Sequence, residues 1–347
     1  LKTNLRNVLG EMELDLKRDF SFLVKPQLSD IKQTETSCVL YFGAEEKNDE
    51  SVDDILKLGL PVLTIASNLN VVSDEIPESL LSLNCLDYSD NGEDVLATSV
   101  LECLGLLHKQ RRVFLSYKRN ESRVTALQLY ESLSARRFNV FLDTHSIGVG
   151  AKFQDELWHE LCDSDVVVML DTKNYFDSRW TTAEFGKALS KRIPIIRVAW
   201  PSVPNNEVNR LAETFEINQG DFNADQNFSL KVLQDICDKV ERVRSKGQAV
   251  RRTNILSKVR EAVEMTGGKF KGVNSYSGCQ IELINGTGLI VFPSIGVPNS
   301  KSLHEAENKS NGEKCAVIYD DVGILPEWQE HIDWLGEQVK NIRWLTA

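Results

Sequence analysis

The sequence predicts an α/β protein in which a central parallel sheet carries helices on both faces and is flanked by two smaller α/β regions. Three observations predict it. Between about residues 110 and 246, short apolar runs alternate with segments whose apolar positions recur at helical spacing. The loops joining them are short, as when crossover helices link parallel strands. Finally, Leu60-Pro61-Val62-Leu63-Thr64-Ile65-Ala66 resembles Ile193-Pro194-Ile195-Ile196-Arg197-Val198-Ala199, and each is followed by a short apolar patch and an amphipathic helix. The N-terminal third thus reads as a degenerate copy of the same unit, or as another two-layer unit with similar grammar.

Each element has its own justification. Val113–Tyr117 is a short buried-strand pattern, and residues 122–136 place Val124, Leu127, Leu129, Tyr130 and Leu133 at helical spacing. A strand over 138–142, a glycine-containing loop over 143–150 and a helix over 151–162 follow. Next come strands at 166–170 and 193–200 around a helix at 180–190, then a weaker strand at 215–217 and a helix at 229–243. Upstream, 1–36 reads as one helix with an extended lead-in, 39–43 as a strand and 93–107 as a helix. Downstream, 247–252 reads as a linker into a helix at 255–265. Strands at 280–283, 288–292 and 315–319, a helix at 326–339 and a final strand at 342–345 complete the chain. The polar tract 299–314 reads as an exposed loop with one short helical piece. The expected domains are therefore 1–109, 110–246 and 247–347.

Composition narrows the function classes. The chain has 347 residues, 41% hydrophobic and 26% charged, with a net charge of −11. That charge disfavours nucleic acid or an anionic membrane as the main partner. No apolar run approaches the ~20 residues that span a bilayer. Seven scattered cysteines sit mostly in apolar segments, as reduced thiols do, and the opening Leu1-Lys2-Thr3-Asn4 lacks a signal-peptide pattern. Both point to a cytoplasmic protein. The five histidines include no pair at metal-ligand spacing and no Cys-x-x-Cys occurs, so no metal is expected. Gly286-Thr287-Gly288 is too short a glycine signature to assign a nucleotide site.

The stretch that carries chemistry is Ser178-Arg179-Trp180-Thr181-Thr182-Ala183-Glu184-Phe185, just beyond the apolar run 166–170. An acid four residues after a tryptophan shares its helical face. The pair also falls at the carboxyl edge of a parallel sheet, where open α/β folds place ligands. The plainer alternative is a solvated acid in a first helical turn, favoured by the helix dipole.

Three motifs in order carry a family resemblance. Val113-Phe114-Leu115-Ser116-Tyr117-Lys118-Arg119 resembles the opening strand of TIR domains. Phe141-Leu142-Asp143, Gly148 to Gly150 and Phe153-Gln154-Asp155-Glu156-Leu157 resemble their second strand, BB loop and next helix. Tyr175, Ser178, Trp180, Glu184 and Phe185 resemble the segment that holds the glutamate of NAD-cleaving TIR domains. The resemblance covers residues 111–245 and leaves the flanks unassigned.

It implies a flavodoxin-like sheet and an enzyme that releases nicotinamide from NAD+, with Glu184 catalytic and Tyr117, Arg119, Asp143, Phe153 and Trp180 at the substrate. NAD+ would be a substrate, with no cofactor. It also implies self-association through the TIR domain, with the BB loop of one unit completing the pocket of the next. The style of the motifs is that of bacterial antiphage effectors or signal producers, of which the Thoeris system is the nearest type. Two positions depart from relatives: Lys118 stands where some have arginine, and Gly148 where some catalytic members have an acid.

Several residues keep a second reading. Trp180 either walls the pocket or packs on the sheet, and Tyr117 and Phe153 either line the pocket or belong to the core. Asp143 either shapes an Asx turn or touches substrate, while Arg119 either meets a pyrophosphate or solubilises a strand end. His145 is either a catalyst or a surface residue. A non-catalytic TIR scaffold that recruits partners through its BB loop is the alternative function. The loop from Ile295 to Ser300, with His304 beyond it, is a candidate nucleotide-sensing site or an ordinary turn.

Overall fold

A strand buried on both faces requires a nearly continuous apolar run, and the chain supplies such runs in two separate places. The computed structural model describes all residues except 13, 26–27, 32–35, 45–51, 53–55, 57–59, 84, 90–91, 108, 143–152, 178, 202, 205–208, 224, 275–277 and 340–341. It divides into two units: residues 1–109 with 274–277, and residues 110–273 with 278–347.

In the first unit, β1 (Val39–Phe42), β2 (Val62–Ala66) and β3 (Cys85–Asp87) form a parallel sheet in that order. Helix α1 (Lys2–Gly10) buries Leu5 and Leu9 against Leu96, Ala97 and Leu101. Those three belong to α3 (Gly92–Cys103), which follows the short α2 (Val72–Glu75). Asn4 donates to Asp94 at 2.7 Å across that contact.

The second unit holds β4 (Arg112–Tyr117), β5 (Asn139–Leu142), β6 (Val166–Asp171), β7 (Ile195–Ala199) and β8 (Glu213–Glu216) in the order β5-β4-β6-β7-β8, every neighbour parallel. Strand alternation divides the side chains between two cores. Val113, Leu115, Val166, Val168, Ile196 and Val198 pack under α4 (Arg119–Ala135) and α7 (Leu230–Met265). Phe114, Val167, Met169 and Ile195 pack under α5 (Phe153–Cys162) and α6 (Arg179–Ser190). Helices on both faces of a parallel sheet are what the sequence predicts. The run β1-β2-β3-α3 also repeats the order of β6-β7-β8-α7.

The expected linker at 247–252 is overturned, because α7 runs unbroken for 36 residues from Leu230 to Met265. Tertiary contacts override the glycine here. Arg244, fully buried, donates to the Gln110 carbonyl at 2.7 Å, and Gln248 donates to Asp165 at 2.7 Å, clamping the helix to the sheet's amino edge. Gly247 is needed for close approach: a Cβ there would lie 2.4 Å from Pro194 Cγ. Glycine to alanine in mid-helix ordinarily stabilises by about 0.5–1 kcal/mol. At Gly247 overpacking by about 1–3 kcal/mol reverses the sign, so Gly247→Ala is expected to lower the melting temperature in thermal denaturation.

Beyond α7 a mixed sheet forms in the order β13-β12-β11-β10-β9. Its strands are β9 (Lys269–Val273), β10 (Cys279–Glu282), β11 (Gly288–Pro293), β12 (Cys315–Tyr319) and β13 (Ile342–Thr346). Strands β11, β12 and β13 are parallel, joined through α8 (Ser300–Ser310) and α9 (Pro326–Gln338). Two sequence expectations change here. Strand β9 was not foreseen, because Lys269-Phe270-Lys271-Gly272-Val273 alternates weakly. The polar tract 299–314 contains an 11-residue helix capped by the Asn299 side chain. Only Leu303, Ala306 and Ser310 of that helix are buried, so its inward stripe is too thin to stand out in the sequence.

Candidate active site

The carboxyl edge of the central sheet is where the fold brings its polar side chains together. Ser116 follows Phe114 on the α5–α6 face of β4, which places a hydroxyl in an otherwise apolar layer. Directly after β6, a single 3₁₀ turn (Tyr175–Asp177) turns Tyr175 inward, where it is 1% exposed. Phe176 sets edge-on against both Tyr175 and Phe185, at 5.0 and 5.9 Å between ring centres, fixing this turn against α6. Helix α6 then presents Glu184, which is only 3% exposed.

Ser116 Oγ donates to Glu184 Oε2 at 2.5 Å, and lies 2.6 Å from the Tyr175 hydroxyl. Serine has one proton. With that proton given to Glu184, the Tyr175 hydroxyl is the one left to donate to Ser116. The result is a Tyr175–Ser116–Glu184 relay that orients a buried carboxyl group at the sheet edge.

A second polar group adjoins it. Lys118 Nζ donates to the Asn174 carbonyl at 2.7 Å and lies 3.3 Å from Glu121. Asn174 donates to Glu121 through both its side chain (2.9 Å) and its backbone (3.2 Å). Burial works to raise the Glu121 carboxyl, but the neighbouring Thr172 hydroxyl, both Asn174 donors and Lys118 outweigh it and hold it at about 2. A carboxyl depressed in the folded state adds stability above its unfolded value of 4.5 and loses it as pH falls toward 2. The stability gap between wild type and Glu121→Gln, from urea melts across this range, is therefore expected to shrink steadily with acidification.

On the same face, Asp171 and Arg197 form a buried ion pair, with Arg197 Nε 2.5 Å from Asp171 Oδ2. Arg197 also donates to the carbonyls of Val203 and Pro204, at 3.2 and 3.3 Å. This pair braces the β6 and β7 ends beside the site.

Residues 113–232 match the family model described as TIR domain. This segment is a TIR domain. Its match to the TMV resistance protein N of Nicotiana glutinosa is 28% identical over 121 residues, 33% of this chain. The chain spans only 11% of that relative's length. Among solved structures, the Clostridium botulinum CMP N-glycosidase BcmB is 16% identical, with 31% of this chain and 87% of that one covered and a TM-score of 0.24. The TIR domains of the activated Roq1 resistosome, recognising the effector XopQ, are 17% identical, with 44% and 99% covered and a TM-score of 0.22.

The fold distributes the sequence-predicted residues of the TIR domain unevenly. Glu184 sits in the relay. Tyr117 lies on the opposite sheet face, 5% exposed within the α4–α7 core, so it and Glu184 are not brought together. Arg119 opens α4 as an exposed residue next to Lys118 and Glu121. Phe153 begins α5, and Trp180 is the second residue of α6, one helical turn before Glu184. Asp143, His145, Gly148 and Gly150 lie outside the described residues. The sequence reading missed the roles of Ser116, Tyr175, Glu121 and Asn174. The signal for Ser116 was available, since a hydroxyl in the run Val-Phe-Leu-Ser-Tyr needs a polar partner once buried.

Among the described residues no group of His, Cys, Asp and Glu is placed to hold a metal ion. Nor is any described helix long and apolar enough to cross a membrane.

Proposed function

We propose that the TIR domain cleaves the nicotinamide–ribose bond of NAD+, with Glu184 as its catalytic carboxylate. The observation that supports this reading is the burial of Glu184 at the carboxyl edge of the sheet, held by Ser116. An acid near the start of a helix that serves only solubility faces water; Glu184, in the second turn of α6, does not. This one is sequestered and aimed, at a cost that a catalytic role explains.

The chemistry asks little of the protein. Cleavage passes through an oxocarbenium-like state, as in glycoside hydrolysis. The carbon–nitrogen bond electrons leave with nicotinamide, which is cationic in NAD+ and departs neutral, so no general acid is required. A fixed negative charge beside the ribose stabilises the developing cation. Water then attacks the anomeric carbon to give ADP-ribose, or an adenine nitrogen attacks it to give a cyclised isomer.

At 3% exposure, no ribose reaches the Glu184 carboxylate until its surroundings shift. Activation by self-association of TIR domains accounts for that requirement, and such triggered activity suits an antiphage effector or signal producer. The test is nicotinamide release from NAD+ by concentrated protein, wild type against Glu184→Gln. Equal release from both would remove Glu184 from the reaction, and none under any assembling condition would favour a scaffold that recruits partners.

A further inference from the structure

At the opposite, amino-terminal edge of the same sheet lies a cleft of about 190 Å³ that the proposed reaction does not use. It is walled on one side by the turn between α6 and β7 and on another by α7. The remaining wall is the segment after β11 and the ends of β12 and β13, all parallel and all presenting their carboxyl ends. Open α/β sheets bind ligands at this end of their strands.

The cleft's charge is unbalanced. Among its described lining residues are four cationic side chains, Lys191, Arg192, Arg251 and Lys258, and one side-chain carboxylate, Asp320; Ala347, the last residue of the sequence, adds a main-chain carboxylate to the wall. Lys191, with its side chain 4% exposed, takes Asp320 at 2.9 Å; Arg251 also feels Asp165 and Asp320, but the three remaining cations outnumber the acids facing this small space. Arg251, Asn254, Ile255 and Lys258 fall at i, i+3, i+4 and i+7, so one stripe of α7 faces the cleft. Arg251 is half-buried, and among the described residues its guanidinium spends one hydrogen bond, to the Ser164 carbonyl at 3.0 Å. A partly desolvated guanidinium with donors to spare, beside an ammonium and a carboxamide, suits a phosphate, whose oxygens accept from a planar fork. Gly296, at φ +83°, narrows the far wall where its backbone closes on Asp163. Ile255 and Ile295 supply an apolar floor.

We infer that this cleft binds a small phosphate-bearing ligand, held by Arg251, Lys258 and Arg192 with Asn254. The volume limits its size: sites for drug-sized ligands measure roughly 300–1,000 Å³, so a phosphate or sugar monophosphate fits and an intact dinucleotide does not. Because α7 and the α6–β7 turn both line the cleft, occupancy would brace the end of α6, the helix that carries Glu184, against the C-terminal sheet. This inference does not depend on NAD+ cleavage.

Calorimetric titration of the full chain with inorganic phosphate, ribose 5-phosphate and uncharged ribose, at constant ionic strength, tests it. The expected result is binding of one or both phosphates but not of ribose, weakened at least tenfold in Lys258→Glu and in Arg251→Gln. Lys258 is exposed, so its replacement keeps the fold even if Arg251→Gln does not. Tighter binding of ribose 5-phosphate would assign a monoester, and equal binding would assign the free ion. Glu184→Gln should bind like wild type. No heat from either phosphate at millimolar concentration would overturn the inference, as would binding that survives Lys258→Glu and vanishes in Glu184→Gln.

Discussion

Glu184→Gln is expected to lower nicotinamide release from NAD+ by at least about a hundredfold to a thousandfold, the scale for removing one preorganised electrostatic partner of a transition state. The substitution keeps the side chain's shape and its ability to accept from Ser116, but removes the negative charge that the oxocarbenium-like state requires. Ser116 donates to this carboxylate from a buried position, and Tyr175 donates in turn to Ser116. The loss should therefore appear in kcat, with NAD+ affinity nearly retained, because the interaction removed is made most strongly in the transition state. Chromatography of nicotinamide and of the ribosyl product, with the melting temperature measured alongside, checks both the loss and the integrity of the fold. Retained release from Glu184→Gln would remove Glu184 from the catalytic role.

Asp171→Ala is expected to destabilise by about 3–5 kcal/mol, because it removes the carboxylate that pairs with the buried Arg197 guanidinium. For a unit of this size that corresponds to a drop in melting temperature of roughly 6–20 °C. The carbonyls of Val203 and Pro204 accept from the same guanidinium but cannot neutralise it. The paired change Asp171→Leu with Arg197→Met should recover much of the loss, since replacing a buried ion pair by apolar groups is often close to neutral. Thermal melts of the single and paired variants measure the coupling directly. If Asp171→Ala melts within a degree or two of wild type, the pair does not brace the β6 and β7 ends.

The two kinds of element differ in how openly the sequence declares them. Strands β4, β6 and β7 are legible because burial on both faces demands unbroken apolar runs such as Val166-Val167-Val168-Met169-Leu170. The helices between them are legible because their apolar stripes repeat at 3.6 residues. Helix α7 was broken too early because Gly247 and two arginines look like a linker. Only the packed state shows Pro194 against Gly247, and Arg244 and Gln248 tied to the strand ends. Helix α8 was hidden for the opposite reason, with too few apolar residues to signal a face.

The site divides along the same line. Glu184, its place after a buried strand and its helical register with Trp180 follow from local spacing, which depends only on residues close in the chain. The partner of Glu184 does not. Ser116 stands 68 residues away and meets it only because β4 lies beside β6 and strand alternation turns Ser116, not Tyr117, toward α6. The same alternation sends Tyr117 to the opposite core. The buried state of Glu184, its relay through Ser116 and Tyr175, and the cationic cleft at the far edge are all products of strand order. Strand order is decided by which surfaces pack together, an energy summed over residues distant in sequence that no local pattern encodes.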